Sequence, residues 1–279
     1  MTRLAIIIVS FNAKSDLDVC LTSLHAHPMR TRHEIVIVDN ASTDGSLQML
    51  GGRWPRLRVI ASPVNAGFAR ANNLAIRETD SELILMLNSD TIVPAGAIDR
   101  LVATLDRDPS AAVAGPRLVD AQGRTELSFG RMMGPFNEAR QKLLGKLLAR
   151  RTPVPGVTAY AKRLLTRPGT PDWVSGACLL VRRADAEAVG LLDERFFMYA
   201  EDIDFCAAIR ARGRKVLFVP DVEVVHLRGR SRQTVPTATQ LAYRRSHIAF
   251  YDKHHPAWAP WLRRYLRWRG QLPEEAGGR

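Results

Sequence analysis

Acidic residues stand at three points of this 279-residue chain where an apolar stretch stops: Val36-Ile-Val-Asp39, Leu87-Asn-Ser-Asp90 and Met198-Tyr-Ala-Glu-Asp-Ile-Asp204. Open α/β sheets bind ligands outside the carboxyl ends of their strands, so carboxylates at such ends are placed to work. Together they could grip a nucleotide, hold a divalent cation on its phosphates and accept a proton from an attacking hydroxyl.

Each site also has a plainer reading. Asp39 could accept the ring N–H of uracil or thymine, or it could cap the turn into the next helix with Asn40. Asn88 and Asp90 offer two oxygen-bearing side chains one residue apart, as Mg²⁺ or Mn²⁺ would need, or simply a polar turn. Because Asn88 is neutral, a cation here should bind weakly until a diphosphate completes its shell. Glu201 and Asp202 open a helix, where the dipole and free N–H groups should keep them ionised and fit for proton abstraction. His226 follows the apolar stretch Val222–Val225 and precedes Arg228, Arg230 and Arg232, which could neutralise a departing diphosphate. Asn65-Ala-Gly67 permits close backbone approach to a nucleotide, yet it spells neither a P-loop nor a dinucleotide fingerprint.

The elements that must position these groups follow from hydrophobic patterning. Strands are expected at Leu4–Phe11, Ile35–Val38, Leu57–Ala61, Leu83–Leu87 and Ala111–Ala114, with helices between them, including one opened by a capping box at Ser15-Asp-Leu-Asp18 and one over Pro94–Leu105. Such alternation gives βαβ units and a parallel sheet. Residues 1–120 read as a Rossmann-like half and 121–235 as a second half abutting it. Within the latter, 128–172 is irregular apart from an amphipathic helix over Asn137–Arg150. A strand over Trp173–Val181, helices over Arg183–Val189 and Ile203–Arg210, and a strand over Val216–Val219 ended by Pro220 complete the half. Residues 236–279 form a basic, aromatic tail.

The net charge of +12 sits in two places. Residues 128–172 carry nine Lys/Arg against two Asp/Glu, and 228–279 carry eleven against three, so the rest of the chain sums to −3. Localised positive charge implies an anionic partner: phosphates, a membrane surface or nucleic acid. Leu143, Leu144, Leu147 and Leu148 beside Lys142, Lys146 and Arg150, and Trp258, Trp261, Leu262 and Tyr265 beside Arg263, Arg264 and Arg267, fit helices at an anionic bilayer. The same residues would equally pack on the protein's own core or in a homodimer. Cys20, Cys178 and Cys206 lie in apolar stretches without a C-x-x-C pair, so a reducing cytoplasm is the default, with a peripheral station at the inner face of the plasma membrane.

Taken in order, Val9-Ser-Phe-Asn12, Val38-Asp-Asn-Ala-Ser-Thr-Asp-Gly-Ser46, Asn65-Ala-Gly-Phe-Ala-Arg-Ala-Asn-Asn73, Leu87-Asn-Ser-Asp-Thr91, Ser175-Gly-Ala-Cys-Leu-Leu180, Phe197-Met-Tyr-Ala-Glu-Asp-Ile-Asp204 and His226 resemble the inverting family-2 glycosyltransferases of the GT-A fold, in the branch containing bacterial rhamnosyltransferases. The resemblance implies an α/β fold with two abutting halves around one mixed central sheet, and metal-assisted glycosyl transfer with inversion. It implies that Asp39 holds the pyrimidine, that Asp90 and His226 hold Mg²⁺ or Mn²⁺, that Asp202 is the base and that Glu201 positions the acceptor. Ser10, Asn12, Asn65, Gly67, Asn88 and Arg230 are expected along the nucleotide-sugar, and Trp173 beside the acceptor. The implied donor is dTDP-L-rhamnose, with other dTDP- or UDP-sugars open. The implied acceptor is a glycan or a polyprenyl-diphosphate-linked glycan of the bacterial cell envelope.

A nucleic-acid-binding protein is the rival from another class, prompted by the charge and the Arg/Trp/Tyr-rich tail. Neither zinc-finger spacing nor an RNP-like aromatic strand supports it, and nucleic acid is not expected as a partner.

Overall fold

The computed structural model describes residues 2–138, 165–227 and 236–272. Its first strand, β1 (Leu4–Ser10), is apolar on both faces and pairs in parallel with β2 (His33–Asp39) on one side and β4 (Leu83–Asn88) on the other. β3 (Arg58–Ala61) extends the β2 side. The chain thus builds outward from β1 through β2 and β3, then returns to add β4 on the opposite side. That reversal makes the carboxyl ends of β1 and β4 a topological switch point, the usual location of a ligand crevice.

Beyond β4 the sheet becomes mixed. β9 (Cys178–Arg182) runs antiparallel between β4 and β6 (Ala111–Val119), β10 (Lys215–His226) lies parallel to β6, and the two-residue β5 (Thr91–Ile92) closes that edge antiparallel to β10. β7 (Phe129–Gly130) and β8 (Trp173–Val174) form a separate small ribbon.

Helices cover both faces. Leu4, Ile6 and Ile8 of β1 and Leu83, Leu85 and Leu87 of β4 pack with α1 (Lys14–Ala26) and α4 (Ala97–Arg107). Ile7, Ile84 and Met86 face α3 (Phe68–Arg77) and the helix Glu201–Ala211. Burial on both faces explains why these strands read as unbroken apolar runs, and each buried Leu or Ile contributes about 1.5–3 kcal/mol. The shorter helices are α2 (Ser46–Arg53) and α5 (Arg183–Ala188), so Glu201–Ala211 is α6. The chain then adds α7 (Pro236–His254) and α8 (Ala259–Trp268). These last two rest on Phe196 and Ala200 through Phe250, Tyr251 and Ala259.

Three expectations need correction. The single strand expected over Trp173–Val181 is two, because Ser175-Gly176-Ala177 turns between β8 and β9. Pro220 does not end β10: the strand bulges there, its register slipping between Val219 and Glu223 opposite Pro116 and Arg117. Pro116, the register partner of Val219, and Pro220 both lack a ladder donor, and a bulge absorbs the mismatch. The capping box at Ser15 does not form; the backbone N–H of Lys14 donates instead to Asp44 Oδ2 at 2.8 Å, while Asp18 accepts from Trp54 Nε1. The amphipathic segment around Leu143 to Arg150, Arg228, Arg230 and Arg232 lie outside the described residues.

Candidate active site

Ser10 and Asp39 are register partners at the ends of β1 and β2, and both are buried. Asp39 Oδ2 accepts from the Ser42 N–H at 3.0 Å, so the turn-capping role is real. Among the described residues, however, its Oδ1 has no partner, and neither does Ser10 Oγ. Buried side-chain oxygens are normally satisfied, so this pair is shaped for a donor that a ligand would bring. The surrounding loop is held by Asn12, whose backbone N–H donates to Ser42 Oγ at 2.9 Å and whose Oδ1 accepts from Thr43 N–H at 2.7 Å. Asn12 and Ala41 both adopt positive φ, at 49° and 66°. Asn12 therefore braces the loop, a role its place in the motif does not reveal.

Asn40, read from sequence only as a turn residue, ties this loop to the next. Its amide donates to Asn65 Oδ1 at 2.8 Å and its carbonyl accepts from Ala66 N–H at 3.0 Å. Asn65 Oδ1 also accepts from Gly67 N–H. Gly67 in turn (φ 85°) presses on Phe197: a Cβ there would lie 2.4 Å from the Phe197 carbonyl oxygen. The loop after β3 and the loop before α6 are thereby packed backbone to backbone.

At the end of β4, Asp90 Oδ1 lies 3.2 Å from His226 Nε2, and Asn88 Nδ2 lies 3.4 Å from the same nitrogen. The opposite ring nitrogen, Nδ1, is 3.2 Å from Glu126 Oε2. Burial pulls the imidazole pKa down, but the hydrogen bonds to Asp90 and Glu126 outweigh it and raise the pKa to about 9. Glu126, which no local motif announces, fixes the ring as a carboxylate commonly fixes a ligating histidine. Asp90 offers a carboxylate oxygen and His226 its Nε2, once that nitrogen gives up its proton, while Glu126 is engaged on the opposite ring nitrogen; the described residues hold no group of three or more His, Cys, Asp or Glu that could hold a metal ion. The donor set fits a hard cation whose remaining positions are filled by diphosphate oxygens and water.

The acidic pair enters on a strained approach. Tyr199 and Ala200 adopt φ of 72° and 67°, a cost of about 1–3 kcal/mol each that persists only where surroundings enforce it. Enforcement comes from both sides: the Phe197 carbonyl accepts from Phe68 N–H at 2.7 Å, and the Met198 carbonyl accepts from Ser246 Oγ at 2.7 Å. Asp202 then receives one N–H on each oxygen, from Gly176 on Oδ2 and Ile203 on Oδ1, both at 2.8 Å. Glu201 is buried, and its Oε2 has no partner among the described residues.

Burial works against the ionisation that the helix start was expected to favour. Burial, and then the Asp202 charge, push Glu201 well above the ordinary carboxyl range. Burial also raises Asp202, although its backbone hydrogen bonds pull the other way. Glu201 is buried and Asp202 half-buried, so desolvation acts most strongly on Glu201. Asp204, the third acid, points elsewhere and joins Lys253 and His254 of α7 at 2.8 and 2.6 Å.

These groups share one edge. Val9 is the register partner of Asn88, Ser10 of Asp39, and Asn88 N–H donates to the Ala177 carbonyl beside Gly176, which holds Asp202. Strands lie about 4.8 Å apart, so Asp39, Asn88 and Gly176 stand along a short stretch of the sheet's carboxyl-end rim. Trp173 lies on β8, with its indole N–H spent on the Arg131 carbonyl at 2.9 Å.

A mixed sheet that reverses its strand order at β1, with helices on both faces, is the fold of the GT-A glycosyltransferases. The chain belongs to glycosyl transferase family 2: the family's model matches residues 5–168, which include the rim from Ser10 to Asp90. It is 31% identical to N-acetylglucosaminyl-diphospho-decaprenol L-rhamnosyltransferase of Mycobacterium tuberculosis over 96% of this chain and 90% of that one. It is 26% identical to rhamnosyltransferase WbbL of Escherichia coli K12 over 79% and 82% of the two chains. Among solved structures it resembles mannosyltransferase PcManGT of Pyrobaculum calidifontis, in complex with GDP-Man and Mn²⁺. That likeness has a TM-score of 0.60 at 19% identity, over 93% of this chain and 68% of that one. The protein is a rhamnosyltransferase-like glycosyltransferase.

Proposed function

We propose that the protein transfers L-rhamnose from dTDP-L-rhamnose, with inversion, to a sugar hydroxyl of a lipid-diphosphate-linked glycan during cell-envelope polysaccharide synthesis. The observation that carries the reading is three buried oxygens without a partner among the described residues: Ser10 Oγ and Asp39 Oδ1 at the ends of β1 and β2, and Glu201 Oε2 at the start of α6. The first two suit a pyrimidine base, whose ring N–H would satisfy Asp39 Oδ1. The third suits the acceptor side. The names of the two rhamnosyltransferase relatives support the donor sugar, and the mycobacterial relative's name supports the lipid-diphosphate acceptor.

In this reading Asp202 takes the acceptor proton. Each of its oxygens already accepts one N–H, which fixes the carboxylate plane and leaves a lone pair on each oxygen for the incoming hydroxyl. Its raised pKa makes it a stronger base than an exposed aspartate. Glu201, beside it at the start of α6, positions the acceptor. The acceptor oxygen attacks the anomeric carbon as the bond to the diphosphate breaks on the opposite face. Asp90 and His226 would hold the cation, which supplies electrostatic stabilisation to the leaving diphosphate.

Incubation with dTDP-L-rhamnose and a short-chain lipid-diphosphate N-acetylglucosamine tests this. The expected product carries one rhamnose in the configuration opposite to the donor's, read by NMR. Transfer from a UDP-sugar in place of dTDP-L-rhamnose would reassign the donor, and a product of retained configuration would remove Asp202 as base.

A further inference from the structure

The aromatic face of α8 is left exposed on a helix that otherwise packs well. Ala259 and Leu266 are buried and Leu262 packs on the core under Phe196 and Ala200. Trp258, Trp261, Tyr265 and Trp268 are 44%, 64%, 48% and 78% exposed. At roughly 100° per residue these four fall within an arc of about 80° beside the buried face. Phe136, 77% exposed, meets Trp258 edge-on at 5.8 Å and widens the patch.

We infer that this face is a docking surface for an anionic lipid bilayer. The helix and its flank, residues 258–272, carry four arginines and no Asp or Glu; Arg263 is paired with Asp252 of α7, so the charge offered to headgroups is that of Arg264, Arg267 and Arg269. A second copy of the chain laid on the same patch would bring arginines against arginines, whereas anionic headgroups complement them. Tryptophan and tyrosine, each with an apolar body and a polar tip, partition to the headgroup boundary, and a basic helix with such a face lies in that plane. Among the described residues no helix is long and apolar enough to cross a membrane, so the contact is with the surface.

The position matters because the core that seats α8 contains Phe196 and Ala200, which flank the strained loop leading to Glu201 and Asp202. Docking through α8 therefore sets the acidic pair close to the lipid surface, and this consequence rests on the lipid-linked acceptor proposed above.

The test is co-sedimentation of the full chain with vesicles of equal parts phosphatidylglycerol and phosphatidylcholine, against phosphatidylcholine alone. Wild type should pellet with the anionic vesicles at low salt, shift its tryptophan emission to the blue, and release at high salt. The Trp261→Gln/Trp268→Gln variant should bind on the order of tenfold less while keeping the wild-type Tm and the wild-type thermal shift with dTDP. No binding of wild type to anionic vesicles at low salt overturns the proposal, as does a wild-type dimer that this variant splits into monomers without loss of vesicle binding. The dTDP shift reads the donor site separately, so failure of docking and failure of the enzymatic reading are distinguishable.

Discussion

Phe68 donates its backbone N–H to the carbonyl of Phe197 at 2.7 Å, joining the start of α3 to the loop that presents Glu201 and Asp202. Only glycine before Phe68 allows the approach. In Gly67→Ala, the new Cβ would sit 2.4 Å from that carbonyl oxygen, on a backbone at φ 85°. Overpacking of this kind costs about 1–3 kcal/mol, and Tm should fall by about 2–4 °C for each of them. Donor affinity and turnover should drop together, because both loops move. Gly51→Ala is the control: it lies in α2 with open space around it, and it should stabilise by about 0.5–1 kcal/mol. Equal Tm values for the two variants would contradict the loop-to-loop contact.

Asp202→Asn should lower kcat by about 10²–10⁴-fold while donor binding stays near wild type. The kcat/KM profile of wild type should rise with pH, its acid limb above the ordinary carboxylate range, because burial raises the Asp202 pKa. A limb at the value of an exposed aspartate would move the base elsewhere.

Glu201→Gln should make the protein more stable at neutral pH and less active. A carboxyl whose folded pKa is raised binds more protons folded than unfolded between its ordinary and its raised value, so stability falls as pH climbs through that window and is untouched below it. The variant removes that slope. Thermal melts of both proteins across the acid-to-neutral range check this; a variant less stable than wild type at neutral pH would mean that Glu201 is ionised and paired.

Asp204→Ala should detach α7 from α6. The carboxylate is buried and meets Lys253 and His254; its loss removes hydrogen bonds to a charged group worth about 1.5–3 kcal/mol each before solvent screening of the half-exposed partners. Hydrogen exchange should accelerate over α7 and α8 more than over β1 and β4.

Much of this fold is legible in the chain because its strands are buried on both faces, so β1, β2 and β4 read as continuous apolar runs ended by the residues that matter. Ser10, Asp39, Asn88 and Asp90 are visible for that reason. What is not legible depends on distant partners. Nothing near Glu126 announces that it will brace His226 from a hundred residues away. The capping acceptor for α1 comes from Asp44, not from the local Ser15 pattern. The turn at Ser175–Ala177 exists because Gly176 must hand its N–H to Asp202, and the raised Glu201 pKa reflects burial by elements that no local pattern foretells.

The claim on which the rest hangs is that Asp39 Oδ1, buried and without a partner among the described residues, reads the base of the donor nucleotide. Titration calorimetry of dTDP, UDP and GDP into wild type and Asp39→Ala, with Mg²⁺ present, tests it most directly. Wild type should prefer the pyrimidine nucleotides, and Asp39→Ala should bind them at least about tenfold more weakly, the loss of one charge-assisted hydrogen bond. Wild-type affinity for dTDP in Asp39→Ala would contradict the account.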